Sequence, residues 1–262
     1  MRTLNAPAWL TQRPIAHRGL HDAAQGVIEN TLGAALAAID AGFAIECDVQ
    51  MSADGGIFVF HDDALDRLTD RKGALIEKNA AEIAEARIRG SGEPPPTFAG
   101  FLGLVAGRTP VICELKSKFD GDWRIGDRIA ALAAAYDGPL AFKSFDPTLV
   151  AYLRLRWPRL GPPERPCPVG IVAEASYDGP AWRSLTEEQK RECESFDHRG
   201  CSEPDFLSWN VDDLPHKTPF FEKEFYHLPV MAWTVRSAAQ REAARKWADQ
   251  IVFEGAGRPY DP

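Results

Sequence analysis

The sequence predicts an α/β fold of the (β/α)8 barrel class, and three observations lead there. Short runs rich in Val, Ile, Leu and Phe alternate with helix-like stretches, the pattern of strands in a parallel sheet joined by crossover helices. The runs number eight: Pro14–His17, Ala44–Val49, Val111–Lys116, Leu140–Phe145, Val169–Ala173, Phe206–Asn210, Val230–Val235 and Ile251–Phe253. A length of 262 residues with 45% hydrophobic content can bury the core of one such barrel, so residues 1–262 read as a single domain.

The elements follow in order. After the short first run, Asn30-Thr31 precedes a stripe of Leu32, Ala35, Leu36 and Ile39, with Gly42 as the stop, which predicts a helix. The second run is followed by a return arm, Ile57–His61, assigned to a β-hairpin extension. Asp54-Gly55 between β-branched and aromatic runs is a two-residue turn signal, and with those residues as the turn Asp48 stands opposite His61. Residues 62–96 are too long for a tight loop and read as a small, lid-like insertion over the barrel mouth. Thr97 opens a helical segment to Val105, closed by Gly107. Asp146-Pro147 opens a helix carrying Leu149 and Leu153 and ending at Trp157-Pro158. A second excursion, Tyr177–Glu203, carries its own helix over Ser184–Glu194. Nine residues follow Phe253, so the last helix is absent or truncated.

A net charge of −8 and an isoelectric point near 5.3 argue against broad binding to nucleic acid or anionic membranes, so any phosphate site is focal. The five cysteines form no C-x-x-C, and Cys47 and Cys113 sit inside apolar runs, which predicts small buried thiols. The first residues lack a secretion signal and no 18-residue apolar span occurs, so the expectation is a cytoplasmic protein with no stable membrane association. Nothing in the sequence specifies an oligomeric state.

Active sites of such barrels lie at the C-terminal ends of the strands, and polar residues end three successive runs here. The first ends His17-Arg18-Gly19. In the second, side chains alternate, so Ile45, Cys47 and Val49 point one way and Glu46 and Asp48 the other. Glu114 and Lys116 likewise oppose Val111, Cys113 and Leu115. Taken singly, Glu46 and Asp48 also fit an edge hairpin whose acids face water, and Glu114 with Lys116 an ordinary ion pair. Together, Glu46, Asp48 and Glu114 form an oxygen-only ligand set, which favours a hard divalent metal, Mg2+ or Ca2+, over zinc. Arg18 and Lys116 would neutralise a phosphate beside it. His17 and His61 complete the groups needed for acid/base work.

At these residues the chain resembles the glycerophosphodiester phosphodiesterases of the PLC-like phosphodiesterase superfamily. The matching pieces are His17-Arg18-Gly19, Glu29-Asn30-Thr31, Glu46-Cys47-Asp48-Val49, Asp54-Gly55 leading to His61-Asp62, Leu65-Asp66-Arg67, Pro96-Thr97-Phe98, Glu114-Leu115-Lys116, Ser144-Phe145 and Trp233-Thr234-Val235. The resemblance implies a distorted TIM barrel with an insertion after strand two, metal on Glu46, Asp48 and Glu114, and acid/base roles for His17 and His61. It further implies phosphate contacts from Arg18 and Lys116, with Trp233 walling the pocket. Glu29, Asn30 and Thr31 look like a brace of the first loop, with a plain helix cap as the equal alternative.

The reaction implied is metal-dependent hydrolysis of a small-molecule glycerophosphodiester to glycerol 3-phosphate and an alcohol, by either imidazole as base and either water or the substrate's 2-hydroxyl as first nucleophile. A phospholipase D-type enzyme on lysophospholipids would need an apolar trough, of which the short, polar insertion gives no sign. A non-catalytic phosphodiester-binding sensor would have lost a histidine or a ligand, and all five are present. One stretch departs from the family, which usually ends its last strand in Thr-Asp before Arg-Pro. Here Phe253-Glu254-Gly255-Ala256-Gly257 precedes Arg258-Pro259, a Gly-x-Gly too weak to indicate a nucleotide loop.

Overall fold

The structure, a computed structural model, describes residues 6–156 and 167–259. Its strands are β1 (Ile15–Ala16), β2 (Ala44–Met51), β3 (Ile57–Val59), β4 (Val111–Leu115), β5 (Leu140–Ser144), β6 (Val169–Ala173), β7 (Leu207–Asn210), β8 (Val230–Val235) and β9 (Gln250–Phe253). They run in the order β1-β9-β8-β7-β6-β5-β4-β2-β3, and β1 also pairs with β2. That second pairing closes eight parallel strands into the expected (β/α)8 barrel, with Ile15 opposite both Ala44 and Val252. Among the described strands only β3 is antiparallel, and it extends β2 as a hairpin.

Helices cover the outside, and the apolar parity of each strand meets them. The short α1 (Trp9–Gln12) comes first, then α2 (Leu32–Asp40), α3 (Ala80–Glu85), α4 (Phe98–Val105), α5 (Arg124–Ala134) and α6 (Pro147–Arg156). The second half carries α7 (Glu187–Ser195), α8 (Arg199–Ser202), α9 (Lys217–Glu224) and α10 (Ala238–Trp247). Ile45, Cys47 and Val49 of β2 join Cys113, Leu115, Phe101 and Leu153 in the main core between sheet and helices. The opposite parity faces the barrel axis. There Ile15, Ala44, Ile112, Ala141, Phe206, Met231 and Val252 form an apolar layer against Trp9 and Leu10 of α1, which stops one end of the barrel. Cys47 and Cys113 are buried free thiols, as expected.

Local signals explain most helix starts. Thr31 accepts a hydrogen bond from the Ala34 N–H at 3.2 Å, Thr97 from Gly100 at 3.1 Å, and Asp146 from Thr148 at 2.8 Å. The helix of the second excursion starts later than its sequence suggests, at Glu187, because Thr186 and Gln189 form a reciprocal capping box. The expected stop at Trp157-Pro158 lies outside the described residues. After β9 the chain makes a single 3-10 turn, Gly255–Gly257.

The hairpin corrects one expectation. Val49 pairs with Val59, Gln50 with Phe58 and Met51 with Ile57, so Phe60, not His61, stands across from Asp48. The turn holds three residues rather than two. Ser52 and Gly56 close it: the Gly56 N–H donates to Ser52 Oγ at 2.8 Å, and Ser52 Oγ donates to Asp54 at 2.6 Å. Gly55 takes φ +87°, the left-handed position of a three-residue loop. Residues 62–96 then bury Leu65, Leu75 and Ile83 against Phe58 and Phe60.

Candidate active site

Along the barrel axis the inward positions change from apolar to charged. On β2 they run Ala44, Glu46, Asp48; on β4 and just beyond, Ile112, Glu114, Lys116; on β5, Ala141, Lys143. Register sets Asp48 beside Glu114 and Glu114 beside Lys143. Glu46 is 0% exposed, Asp48 1% and Glu114 5%, so an edge hairpin with wetted acids is not what forms. One oxygen from each lies within 4.8 Å of the others.

Buried carboxylates need counter-charge, and the surrounding cations supply it. Lys143, itself 2% exposed, places Nζ 3.0 Å from Glu46 Oε1 and 3.6 Å from Glu114 Oε2. Lys116 Nζ lies 2.8 Å from Asp48 Oδ1 and also contacts Glu114. Arg18 reaches Asp48 at 3.3 Å, and its backbone N–H donates to Glu46 at 3.1 Å. Burial alone would raise the Asp48 pKa, but Lys116, His61 and Arg18 hold it well below the usual carboxylate range. Glu114 is lowered against the same burial by Lys116 and Lys143.

The residues fit a hard cation. Glu46 Oε1 and Asp48 Oδ1 are buried and accept no well-directed hydrogen bond, although each has an ammonium within ion-pair reach. Oxygens left so, in a set with no sulfur or imidazole ligand, suit a divalent ion such as Mg2+ or Ca2+.

The first loop is shaped to deliver Arg18. That residue adopts φ 55° and the next, Gly19, φ +79°, where a Cβ would stand 2.8 Å from Ala34. Glu29 accepts from Arg18 at 2.7 Å and from Arg67 at 2.7 Å. Asn30 donates to Asp48 Oδ2 at 2.9 Å. Both sequence alternatives for Glu29-Asn30-Thr31 therefore hold at different residues: Thr31 caps α2, while Glu29 and Asn30 brace the rim.

His17 and His61 each have a carboxylate on Nδ1. His61 Nδ1 lies 2.8 Å from Asp62, which Arg67 and His61 bring down to about 2 against its burial. His17 Nδ1 bonds Glu254, which also accepts from Arg236 at 2.7 Å. Burial would raise Glu254, but its bonds to His17 and His21 hold it well below the carboxylate range. His17 Nε2 lies 3.8 Å from Glu46 Oε2, so the free nitrogen faces the carboxylates. His61 lines a cleft of about 580 Å3 with Glu114, Lys116, Phe145, Glu174, Trp182 and Trp233. Trp233 donates from Nε1 to the Ser208 carbonyl at 2.9 Å and meets Phe145 edge-on at 5.5 Å.

The structure thus brings together His17, Arg18, Glu46, Asp48, Glu114 and Lys116, with His61 and Trp233 on the cleft wall. Sequence reasoning missed two members. Lys143 was signalled by a charge inside an apolar strand at inward parity. Glu254 stands in the sequence only as a departure from the family pattern, and nothing local announces its partner 237 residues away.

The sequence profile of the glycerophosphoryl diester phosphodiesterase family matches residues 17–160. A glycerophosphodiester phosphodiesterase of Caldanaerobacter subterraneus subsp. tengcongensis is 40% identical over 111 residues, 39% of this chain. That aligned stretch spans less than half of the relative's length, 44%. Among solved structures, an Oleispira antarctica phosphodiesterase in complex with the product sn-glycerol-3-phosphate superimposes with a TM-score of 0.71 at 21% identity, covering 95% of this chain and 94% of that one. The glycerophosphodiester phosphodiesterase of Thermotoga maritima gives 0.68 at 20% identity, covering 92% and 94%.

Proposed function

The chain belongs to the glycerophosphoryl diester phosphodiesterase family, and from that premise we propose that it hydrolyses a glycerophosphodiester to glycerol 3-phosphate and an alcohol. One observation carries the reading: the buried trio Glu46, Asp48 and Glu114, with oxygens within 4.8 Å of one another, flanked by Arg18 and Lys116 and by two imidazoles each tethered at Nδ1. Glu46, Asp48 and Glu114 would hold Mg2+ or Ca2+, which when bound supplies Lewis-acid polarisation of the phosphoryl group and a template for glycerol oxygens.

The chain's own groups do the rest. Arg18 and Lys116 bind the phosphate and offset the charge that builds on its oxygens. His17, whose Nε2 faces the carboxylate floor, takes the proton of the attacking oxygen. His61, on the wall of the cleft, gives a proton to the departing alkoxide as the P–O bond breaks, and water supplies the atoms of the new P–OH and alcohol O–H. Glu254 and Asp62 hold the two rings so that Nε2 is the working nitrogen in each. Among the described residues, no helix is long and apolar enough to cross a membrane.

The test is incubation of glycerophosphodiesters and lysophospholipids with the protein and Mg2+ or Ca2+, with detection of glycerol 3-phosphate. Release of glycerol 3-phosphate that stops in excess chelator is the expected result. Full activity in chelator sinks the metal assignment, and no turnover of any member sinks the reaction.

A further inference from the structure

The cleft continues past Glu114 and Lys116 into a wall that the proposed reaction itself does not need. Four aromatic residues from four different parts of the chain line it: Phe119 after β4, Phe145 after β5, Trp182 in the second excursion and Trp233 on β8. Trp182 is the hub, 4.8 Å from Phe145, 4.8 Å from Tyr177 and 6.3 Å from Phe119, while Phe145 touches Trp233 at 5.5 Å. All four lining residues stay partly exposed at the cleft.

Glu174, one residue past β6, stands in this wall. The other acids lining the cleft have cations: Asp62 has Arg67, Asp63 has Lys118, and Glu114 has Lys116 and Lys143. Among the described residues, Glu174 is held only by neutral donors, the Trp182 indole N–H and Asn210 Nδ2 at 3.1 Å. Two donors that fix a carboxylate without neutralising it leave its charge for something else, and aromatic faces around such a charge attract organic cations. Burial, with the nearby Asp213 carboxylate, raises the Glu174 pKa against the two hydrogen bonds it accepts.

We propose that Glu174, with the rings of Trp182, Phe145, Phe119 and Trp233, forms a subsite for an alkylammonium head group on the leaving alcohol, quaternary in preference to an uncharged one. The proposal rests on the phosphodiesterase reading and deepens it: the glycerol phosphate lies at the carboxylate trio, and the cationic alcohol lies toward Glu174.

The test compares two esters of glycerol phosphate that differ by one atom, the choline ester and the 3,3-dimethylbutyl ester, in which carbon replaces the charged nitrogen. The wild-type kcat/KM ratio should favour choline by about tenfold or more, the scale of a desolvated cation–π contact with a charge partner. In Glu174→Gln and in Trp182→Leu that ratio should fall toward one. A ratio near one in the wild type, or one that survives in a folded Glu174→Gln, overturns the proposal. If the wild type hydrolyses neither ester, the reaction is wrong, and the subsite is read separately from quenching of tryptophan fluorescence by choline alone. Saturable quenching that is lost in Glu174→Gln supports it, and no saturable quenching overturns it.

Discussion

Lys143 Nζ stands 3.0 Å from Glu46 Oε1 in the floor of the barrel mouth, both residues almost wholly removed from water. The ammonium lies on two of the three carboxylates that would hold a divalent ion, so it acts as their counter-charge when the ion is away. Burial opposes its charge, but Glu46 and Glu114 raise its pKa all the same.

Lys143→Met should therefore separate two quantities. Without metal, the variant leaves buried carboxylates short of a partner and loses stability, on the order of 3 kcal/mol. With Mg2+ or Ca2+ in excess much of that loss returns, because one positive neighbour no longer competes for the site. Calorimetric titration should give tighter metal binding than the wild type. Weaker binding, with a fold still intact, would mean that Lys143 holds the carboxylates in their ligating arrangement.

Glu254 positions His17, and Gly257 positions Glu254. The Gly257 N–H donates to the Glu254 carbonyl at 2.8 Å, and a Cβ on Gly257 would come 1.7 Å from the Val235 carbonyl oxygen. Gly257 thus reflects close backbone approach, whereas Gly255, with open space around it, takes a left-handed φ of +48°. Glu254→Gln should lower kcat by about 10²-fold, the lower end of what a positioned acid/base group contributes, with KM and metal affinity little changed. Gly257→Ala should lower both Tm and kcat. A Glu254→Gln variant whose defect lies wholly in KM would place Glu254 in substrate binding instead.

The division of labour between the imidazoles is read with two leaving groups. A p-nitrophenyl ester departs without protonation, so His61→Ala should cost far less on it than on an alkyl diester, where the loss is about 10²- to 10⁴-fold. His17→Ala should cost the same on both. The reverse pattern exchanges the roles, and near-wild-type rates for either variant on the alkyl diester make that histidine structural.

His198 should make the fold acid-sensitive. Burial lowers its pKa to about 4, and its Nδ1 meets Ser202 Oγ at 3.0 Å. The unfolded chain binds this proton below about 6.5 while the folded one resists until about 4, so stability falls as pH drops through that window. The full loss is on the order of 3 kcal/mol. Urea unfolding of wild type and His198→Gln between pH 7 and 4 should show the slope reduced in the variant; parallel curves would refute it.

The barrel was legible because β-branched, apolar strands are punctuated by strong caps, and the charged rim because Glu46, Asp48, Glu114 and Lys116 share one inward parity. The hairpin slipped by one residue because Ser52 and Gly56 close the turn through a side chain that Asp54-Gly55 does not reveal. Lys143 was readable by the same parity rule as Glu114. Glu254, Glu174 and Trp182 were not, since each gains its meaning from a partner or neighbour that only the closed barrel brings close.

Closure at β1 also sets an order of events. β1 has no complete set of neighbours until β9 lies beside it, and the His17 ring is fixed by a carboxylate that the ribosome adds 237 residues later. The three carboxylates of the floor, by contrast, all come from strands made in the first half of the chain. A growing polypeptide would thus own a cation-attracting pocket well before it owns a working base, and hydrolysis would begin only when the last strand docks.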